Sequence, residues 1–384
     1  MNRQRAIAGT LSIAALLIAA GAGWLLSLPP APASSTAPPV PQAETEATLA
    51  ALQPPKRQRP LIAIIGINDG TETTDYLMPY GILRRADIAE VMLLGTGPGP
   101  VSLYPALTVE PDATVAEFDA AHPDGADYVV VPAMIRDDDP IVLQWIRAQA
   151  EKGATIIGVC VGATVVANTG LLDGKRATTH WYSLDEMRTK HPDIRYMPDR
   201  RLVVDGKVAT TTGISASMPA MLTLIEAVAG REKAEATARD LGRAQWDIRH
   251  DSDAFSFTRP FALTAIGNRL AIWNHEELGL QLQPGMDEVS LALVADAWSR
   301  TYRSRAVTFA TTSGALQTLN GVRILPDKVA GSGPAGDLVP PIGERRPAQA
   351  LDDALAGIGE RYGSRTADFV AMQLEYPKPV IGQR

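Results

Sequence analysis

The sequence predicts an α/β protein, a parallel β-sheet covered by helices on both faces. Three observations predict it. Continuous apolar runs rich in β-branched residues, such as LIAIIGI (Leu61 to Ile67), suit strands buried on both faces. These runs alternate with helical patterns. At Cys160, one apolar run passes between two glycines straight into a helical pattern, the sharp strand-to-helix turn found at the carboxyl edge of such sheets.

After MNRQR, an uncharged apolar run extends from Ala6 to Leu28. It exceeds the roughly 20 residues that span a bilayer. Arg3 and Arg5 precede it, so the positive-inside rule places the N-terminus in the cytoplasm and the remainder across the membrane, in bacteria the periplasm. The rival is a signal peptide cleaved near Ala31-Pro32-Ala33, which would release a secreted protein. We favour a transmembrane anchor over residues 1–28, because the run is long for a signal and Pro32 sits inside the would-be site. Residues 29–60 are proline-rich and read as an extended spacer.

The main domain is expected over 61–242. EVMLLG (90–95), DYVVVP (127–132) and TIIGV (155–159) continue the strands. Helical patterns occupy 76–85, 140–151 and 163–168, the last closed by Gly170 at a left-handed C-cap. Ser183 and Glu186 have capping-box spacing for a helix toward His191. LVVDGKVAT (202–210) is a hairpin turning on Asp205-Gly206, and a long apolar helix then ends at Gly230.

Residues 243–330 read as a partial α/β repeat of the beginning. RLAIWNHEEL, MDEVSLALVADAWSRTYRSRAVTFA and NGVRILPDKV follow the same order: strand, acidic-started helix, strand, and an apolar segment ending in Pro-Asp. The echo has no cysteine turn. Residues 331–384 are a linker, a helical stretch over 348–374 and an extended tail.

Composition narrows the function classes. The net charge of −7 gives no electrostatic footprint for nucleic acid. One cysteine in 384 residues excludes an intrachain disulfide and a cysteine-rich metal site. The five histidines (122, 180, 191, 250 and 275) are scattered with no HxxxH spacing, so no zinc site is expected; no cofactor is expected either.

Chemistry concentrates at G-V-C-V-G, residues 158–162. The glycines let the turn close, and the helix start behind Cys160 favours thiolate over thiol. The alternative is a buried structural cysteine.

GVCVGATVVANTGLLDGKRATTHW, with TTTGISASMPAMLTLIE further on, resembles the ThiJ/PfpI family of the class I glutamine amidotransferase-like superfamily. The resemblance covers 61–242 and is nearest, in ATTHW, to isonitrile hydratase and AraC-type regulator sensor domains. No DNA-binding helix pair follows here. The resemblance implies a flavodoxin-like three-layer sandwich with Cys160 at the elbow. It implies an acidic partner after the first strand, which counting back from Pro79 places at Asp75. Asp69 and Glu72 are alternatives, and Asp75 could instead be a helix N-cap. It puts His180 near the thiol, as a proton acceptor or a wall residue. It sets Val161, Gly162, Ala133, Met134, Thr179 and Gly213 around the pocket. N–H groups of Val161 and of Ala133 or Met134 would hold developing negative charge.

Two departures matter. Val161 stands where protease-like members carry histidine, which argues against peptidase activity. Val131-Pro132-Ala133-Met134 replaces the usual P-G-G, and Met134 would crowd the pocket. Two readings follow. One is a cysteine-dependent, hydratase-like or hydrolase-like enzyme for a small electrophile, such as an isonitrile or reactive carbonyl. The other is a non-catalytic sensor or interaction module of the cell envelope. The resemblance also implies homodimers, whose surface the C-terminal segment could occupy instead.

Overall fold

The computed structural model describes residues 16–17, 19–31, 36–329 and 337–377. Much of the apolar run Ala6–Leu28 therefore lies outside the described residues, as does the end of the tail. Among the described residues no helix is long and apolar enough to cross a membrane.

Residues 19–27 are helical, and helix α1 (Gln42–Ala51) follows them. The expected spacer is thus not extended throughout: QAETEATLAA is a run of good helix formers. It docks through Leu52, 1% exposed, whose carbonyl accepts the Tyr128 hydroxyl at 2.7 Å. Arg200 clamps it from the domain side through Glu44.

The domain continues β1 (Leu61–Gly66), β2 (Asp69–Glu72), α2 (Thr73–Ala86), β3 (Glu90–Gly95), β4 (Val101–Tyr104), β5 (Thr108–Glu110), β6 (Ala113–Thr114) and α3 (Val115–Ala121). Next come β7 (Tyr128–Val131), α4 (Pro140–Glu151), β8 (Thr155–Gly158), α5 (Gly162–Asn168), β9 (Arg176–Ala177), α6 (Leu184–Lys190) and β10 (Arg195–Tyr196). The hairpin β11 (Leu202–Asp205) and β12 (Val208–Thr211) precedes α7 (Ser217–Ala229) and α8 (Arg231–Asp240). The main sheet has the order β11-β12-β8-β7-β1-β3-β6, parallel except for the β11–β12 hairpin. This is a flavodoxin-like sandwich.

Alternation along the strands builds two cores. Ile62, Ile64, Tyr128 and Val130 face one side, with α2 and α7 residues such as Leu77 and Met221. Leu61, Ala63, Ile65 and Val129 face the other, with Phe118 of α3 and Trp145 of α4. A strand that serves both layers has no polar face to show, which is why its sequence is continuously apolar.

The chain then forms α9 (Arg259–Leu270), β13 (Glu276–Gln281), α10 (Glu288–Ser299), β14 (Ser304–Ala310), β15 (Leu316–Gln317), β16 (Arg323–Leu325), β17 (Lys328–Val329), α11 (Pro347–Tyr362) and α12 (Ser364–Gln373). These elements are not separate from the main domain. Leu278, Leu291, Trp298, Ile358 and Phe369 belong to the same apolar cluster as Ile62 and Cys160. The expected strand RLAIW is instead the end of α9 and a short turn, and β13 starts at Glu276. Arg259-Pro260, with Thr258 capping Phe261 N–H, explains the helix. Helix α6 forms as expected, but Ser183 makes no side-chain cap bond.

Candidate functional site

Cys160 sits between β8 and α5 with a φ of +57°. That left-handed backbone costs a non-glycine residue on the order of 1 kcal/mol or more, and the surroundings hold it in place. The Cys160 N–H donates to Thr211 Oγ1 at 3.1 Å, and the Cys160 carbonyl accepts from Thr179 Oγ1 at 3.2 Å. Gly162 lets α5 begin against the end of β7: a Cβ there would lie 1.9 Å from the Val131 carbonyl oxygen. The elbow shape is therefore a property of β7, β8 and β12 together.

The thiol itself is in an unfavourable place for ionisation. Cys160 is 3% exposed. Burial first, then the charges of Asp75, Glu72 and Glu375, push its pKa well above the usual thiol range. The Val161 N–H opposes them and is the weaker effect. The sequence argument that a helix start favours thiolate is thus outweighed. A short helix gives one nearby N–H, while the tertiary fold brings desolvation and three carboxyl groups.

Asp75 is completely buried, in the first turn of α2. It is not the N-cap: Glu72 is, and its Oε2 accepts the Asp75 N–H at 2.6 Å and the Thr74 hydroxyl at 2.8 Å. Asp75 Oδ2 accepts the Ala133 N–H at 3.1 Å, and Oδ1 is buried with no partner. Burial, then the neighbouring Glu72 charge, raise the Asp75 pKa well above the carboxylate norm. The Ala133 N–H and Arg300 pull it down by less. The expectation that Ala133 offers its N–H to a substrate is corrected, because Asp75 already takes it. Asp69, the other acidic alternative, faces outward and pairs with Arg136.

Met134 does not crowd the thiol: it packs into the opposite apolar layer with Val131, while its backbone bridges Thr71. His180 has both ring nitrogens engaged. Nδ1 accepts the Tyr182 N–H at 3.1 Å, so Nε2 carries the proton and donates to the Gln373 carbonyl at 2.9 Å. Burial lowers its pKa. It is a neutral wall residue that ties the elbow layer to α12.

Three residues that sequence reasoning passed over complete the site. Arg300, after α10, donates from Nη2 to Glu72 Oε1 at 2.6 Å and from Nε to Asp296 Oδ2 at 2.7 Å. Burial alone would lower its pKa, but Asp296 and Glu72 raise it overall, so it stays charged. Burial lifts Asp296 above the carboxylate norm, against the pull of Arg300. Glu375 comes from the tail. Its Oε1 accepts the Trp181 N–H at 2.7 Å and its Oε2 the Gly213 N–H at 2.8 Å. Gly213 is glycine for room: a Cβ would meet His180 Cδ2 at 2.6 Å and Glu375 Cδ at 2.7 Å. A signal for Asp296 and Arg300 lay in the helical register of MDEVSLALVADAWSR; Glu375 had none.

A cavity of about 700 Å³ adjoins this layer, lined by Thr179, Trp181, Tyr196, His250, Phe255 and Glu375 among others. His250 Nε2 lies 3.5 Å from Glu375 Oε2.

A parallel α/β sandwich with a left-handed cysteine elbow and a buried carboxyl group defines a flavodoxin-like protein of the cysteine-elbow class. Comparison makes this more specific. Residues 62–227 match the DJ-1/PfpI family. The isonitrile hydratase of Pseudomonas putida is 32% identical over 166 residues, 42% of this chain and 69% of that protein. The chain belongs to the DJ-1/PfpI family, through a domain that covers part of its length. The HTH-type transcriptional regulator CdhR of Pseudomonas aeruginosa is 26% identical over 219 residues, 56% of this chain and 62% of that protein. The crystal structure of Drosophila melanogaster DJ-1beta is 25% identical, covering 49% of this chain and 100% of its own, with a TM-score of 0.44.

Proposed function

We propose that this chain senses a compact small molecule at the layer that joins Cys160 to the adjoining cavity, without turning it over. One observation carries the reading: burial and the surrounding carboxyl groups hold the thiol pKa well above the usual thiol range, and His180 has no free nitrogen to take its proton. A resting thiol with a raised pKa and no free imidazole beside it is poorly prepared for nucleophilic attack. The cavity of about 700 Å³ falls in the range of small-molecule pockets. Similarity to a transcriptional regulator supports sensing. A regulator's DNA-binding role does not transfer, given the net charge of −7.

A second reading, hydration of an isonitrile, is favoured by Asp75. A carboxyl group that keeps its proton can give it to a substrate carbon. Water would add across the isonitrile carbon and nitrogen, giving an N-substituted formamide. The 32% identity to isonitrile hydratase supports this reading.

The test is to follow formamide formation from a panel of isonitriles, and loss of small dicarbonyls, with the full chain and Cys160→Ala. Calorimetry on the same panel measures binding. Sensing expects saturable binding and no turnover by either protein. Turnover by the wild type that vanishes in Cys160→Ala would replace it with the second reading.

The chain is also proposed to be held at a membrane with its domain outside the cytoplasm. The apolar run Ala6–Leu28 supports this. The end of the run is seated on the domain, where Arg259 donates to the carbonyls of Leu25, Leu26 and Leu28. Leu263, Leu270 and Trp273 are exposed large apolar side chains. Alkaline carbonate washing of expressing cells' membranes should leave the chain in the pellet; release into the supernatant would overturn attachment.

A further inference from the structure

The contacts of α2 and α10 are reciprocal. Glu72, the N-cap of α2, binds Arg300 at the end of α10; Asp287, the N-cap of α10, binds Arg85 in the last turn of α2. Glu72 to Asp287 and Arg85 to Arg300 are the same step of 215 residues. That step persists without a gap through the following segment. The Leu93 N–H donates to Asp112 Oδ2 at 2.8 Å, and the Thr308 N–H donates to Asp327 Oδ2 at 2.8 Å. Leu103 N–H bonds the Leu107 carbonyl, and Thr318 N–H the Val322 carbonyl, each at 2.9 Å. Leu94 pairs with Ala113 as Phe309 pairs with Lys328, and Val101 pairs with Val109 as Leu316 pairs with Ile324. Asp87 and Tyr302 share a left-handed backbone, at φ of +50° and +58°.

The two segments meet each other symmetrically. β5 and β16 pair antiparallel, with Val109 opposite Ile324, Thr108 opposite Leu325 and Glu110 opposite Arg323. Val109 and Ile324 are themselves equivalent under the step, so a local two-fold axis passes through this pair. This is the geometry of an isologous interface, in which the same patch meets itself. Here both patches belong to one chain.

We propose that residues 287–329 are a second copy of residues 72–114, folded back as a built-in partner. On this account the copy fills the face through which two chains would otherwise associate, and it contributes Arg300 as a positioning residue of the cysteine site. Arg300 holds Glu72, Glu72 holds the Asp75 N–H, and the carboxyl groups of Asp75 and Glu72 both act on the thiol through their charge. The copy has no elbow of its own, so the pseudo-equivalent Arg85 serves docking alone. The inference does not depend on whether the site senses or turns over a ligand.

The test compares Arg300→Met, Arg300→Lys and Arg85→Met in the full chain, reading the rate of Cys160 alkylation by iodoacetamide against pH. Both methionine variants loosen the same helix pair. Arg300→Met is expected to slow alkylation at least threefold at fixed alkaline pH, because Glu72 and Asp296 lose their cation; Arg300→Lys restores most of the rate, and Arg85→Met leaves the profile in place. An unmoved profile in Arg300→Met, or an equal shift in Arg85→Met, would overturn the positioning role. The fold-back is read separately in a Cys160→Ser background. Oxidation of Val109→Cys with Ile324→Cys should cross-link within one chain. A disulfide-linked dimer from Val109→Cys alone would show that the face joins two chains and would sink the built-in partner.

Discussion

Asp75 takes the backbone N–H of Ala133 on Oδ2 at 3.1 Å and leaves Oδ1 buried without a partner. A carboxylate in that position would have one oxygen desolvated and unpaired beside Glu72. The group therefore keeps its proton above the ordinary carboxylate range.

That relationship sets a pH dependence of stability. The folded-state pKa of Asp75 is raised, so the folded protein binds this proton more tightly than the unfolded chain does. The stabilising contribution is complete below the ordinary carboxylate pKa and is lost as pH rises through the raised one. Asp75→Asn keeps an acceptor for Ala133 and cannot ionise. Its urea unfolding midpoint, compared with wild type, should improve from pH 5 to pH 8. A constant difference across that range would contradict the raised pKa.

The thiol follows the same logic. Iodoacetamide should react with native Cys160 slowly at pH 7.5, and with a midpoint above the roughly 8.5 of a free thiol. Asp75→Asn should move that midpoint down, since the Asp75 charge is the largest cause after burial. A midpoint near 7 in the wild type would show a reactive thiolate.

Gly162→Ala should be severe. A Cβ 1.9 Å from the Val131 carbonyl oxygen demands movement of backbone, not of a side chain. A loss of about 3 kcal/mol or more is expected, measurable as a lower urea midpoint with an unchanged slope. An alanine variant within about 0.5 kcal/mol of wild type would mean the elbow and β7 are not in this contact.

Glu375→Ala removes the acceptor for the Trp181 and Gly213 N–H groups. Leaving them unsatisfied is expected to cost about 2–4 kcal/mol. The tail should then become the first site cut in limited proteolysis. Glu375→Gln, which keeps one acceptor oxygen, should fall between the two.

The elements of the main sheet were legible because each is written locally. LIAIIGI and DYVVVP are apolar throughout, since both faces of those strands are covered. The elbow was legible for the same reason: the close approach of α5 to the end of β7 needs glycine at 162, two positions from the cysteine. The family resemblance implied an acidic partner and pointed to Asp75, with Asp69 and Glu72 as alternatives, but its state was not legible. The cap role fell to Glu72 because the helix begins at Thr73, and sequence alone does not fix which oxygen meets which N–H.

Sequence by itself determined the parallel sheet and the turn at Cys160, because each depends on neighbours a few residues apart. Tertiary structure alone decided the charge of the site. Whether a thiol ionises depends on what desolvates it and which charges surround it. Here those groups come from Glu72, Asp75 and Glu375, with Asp296 and Arg300 behind them, and the charges of residues 300 and 375 are felt at Cys160 only when the chain folds back on itself.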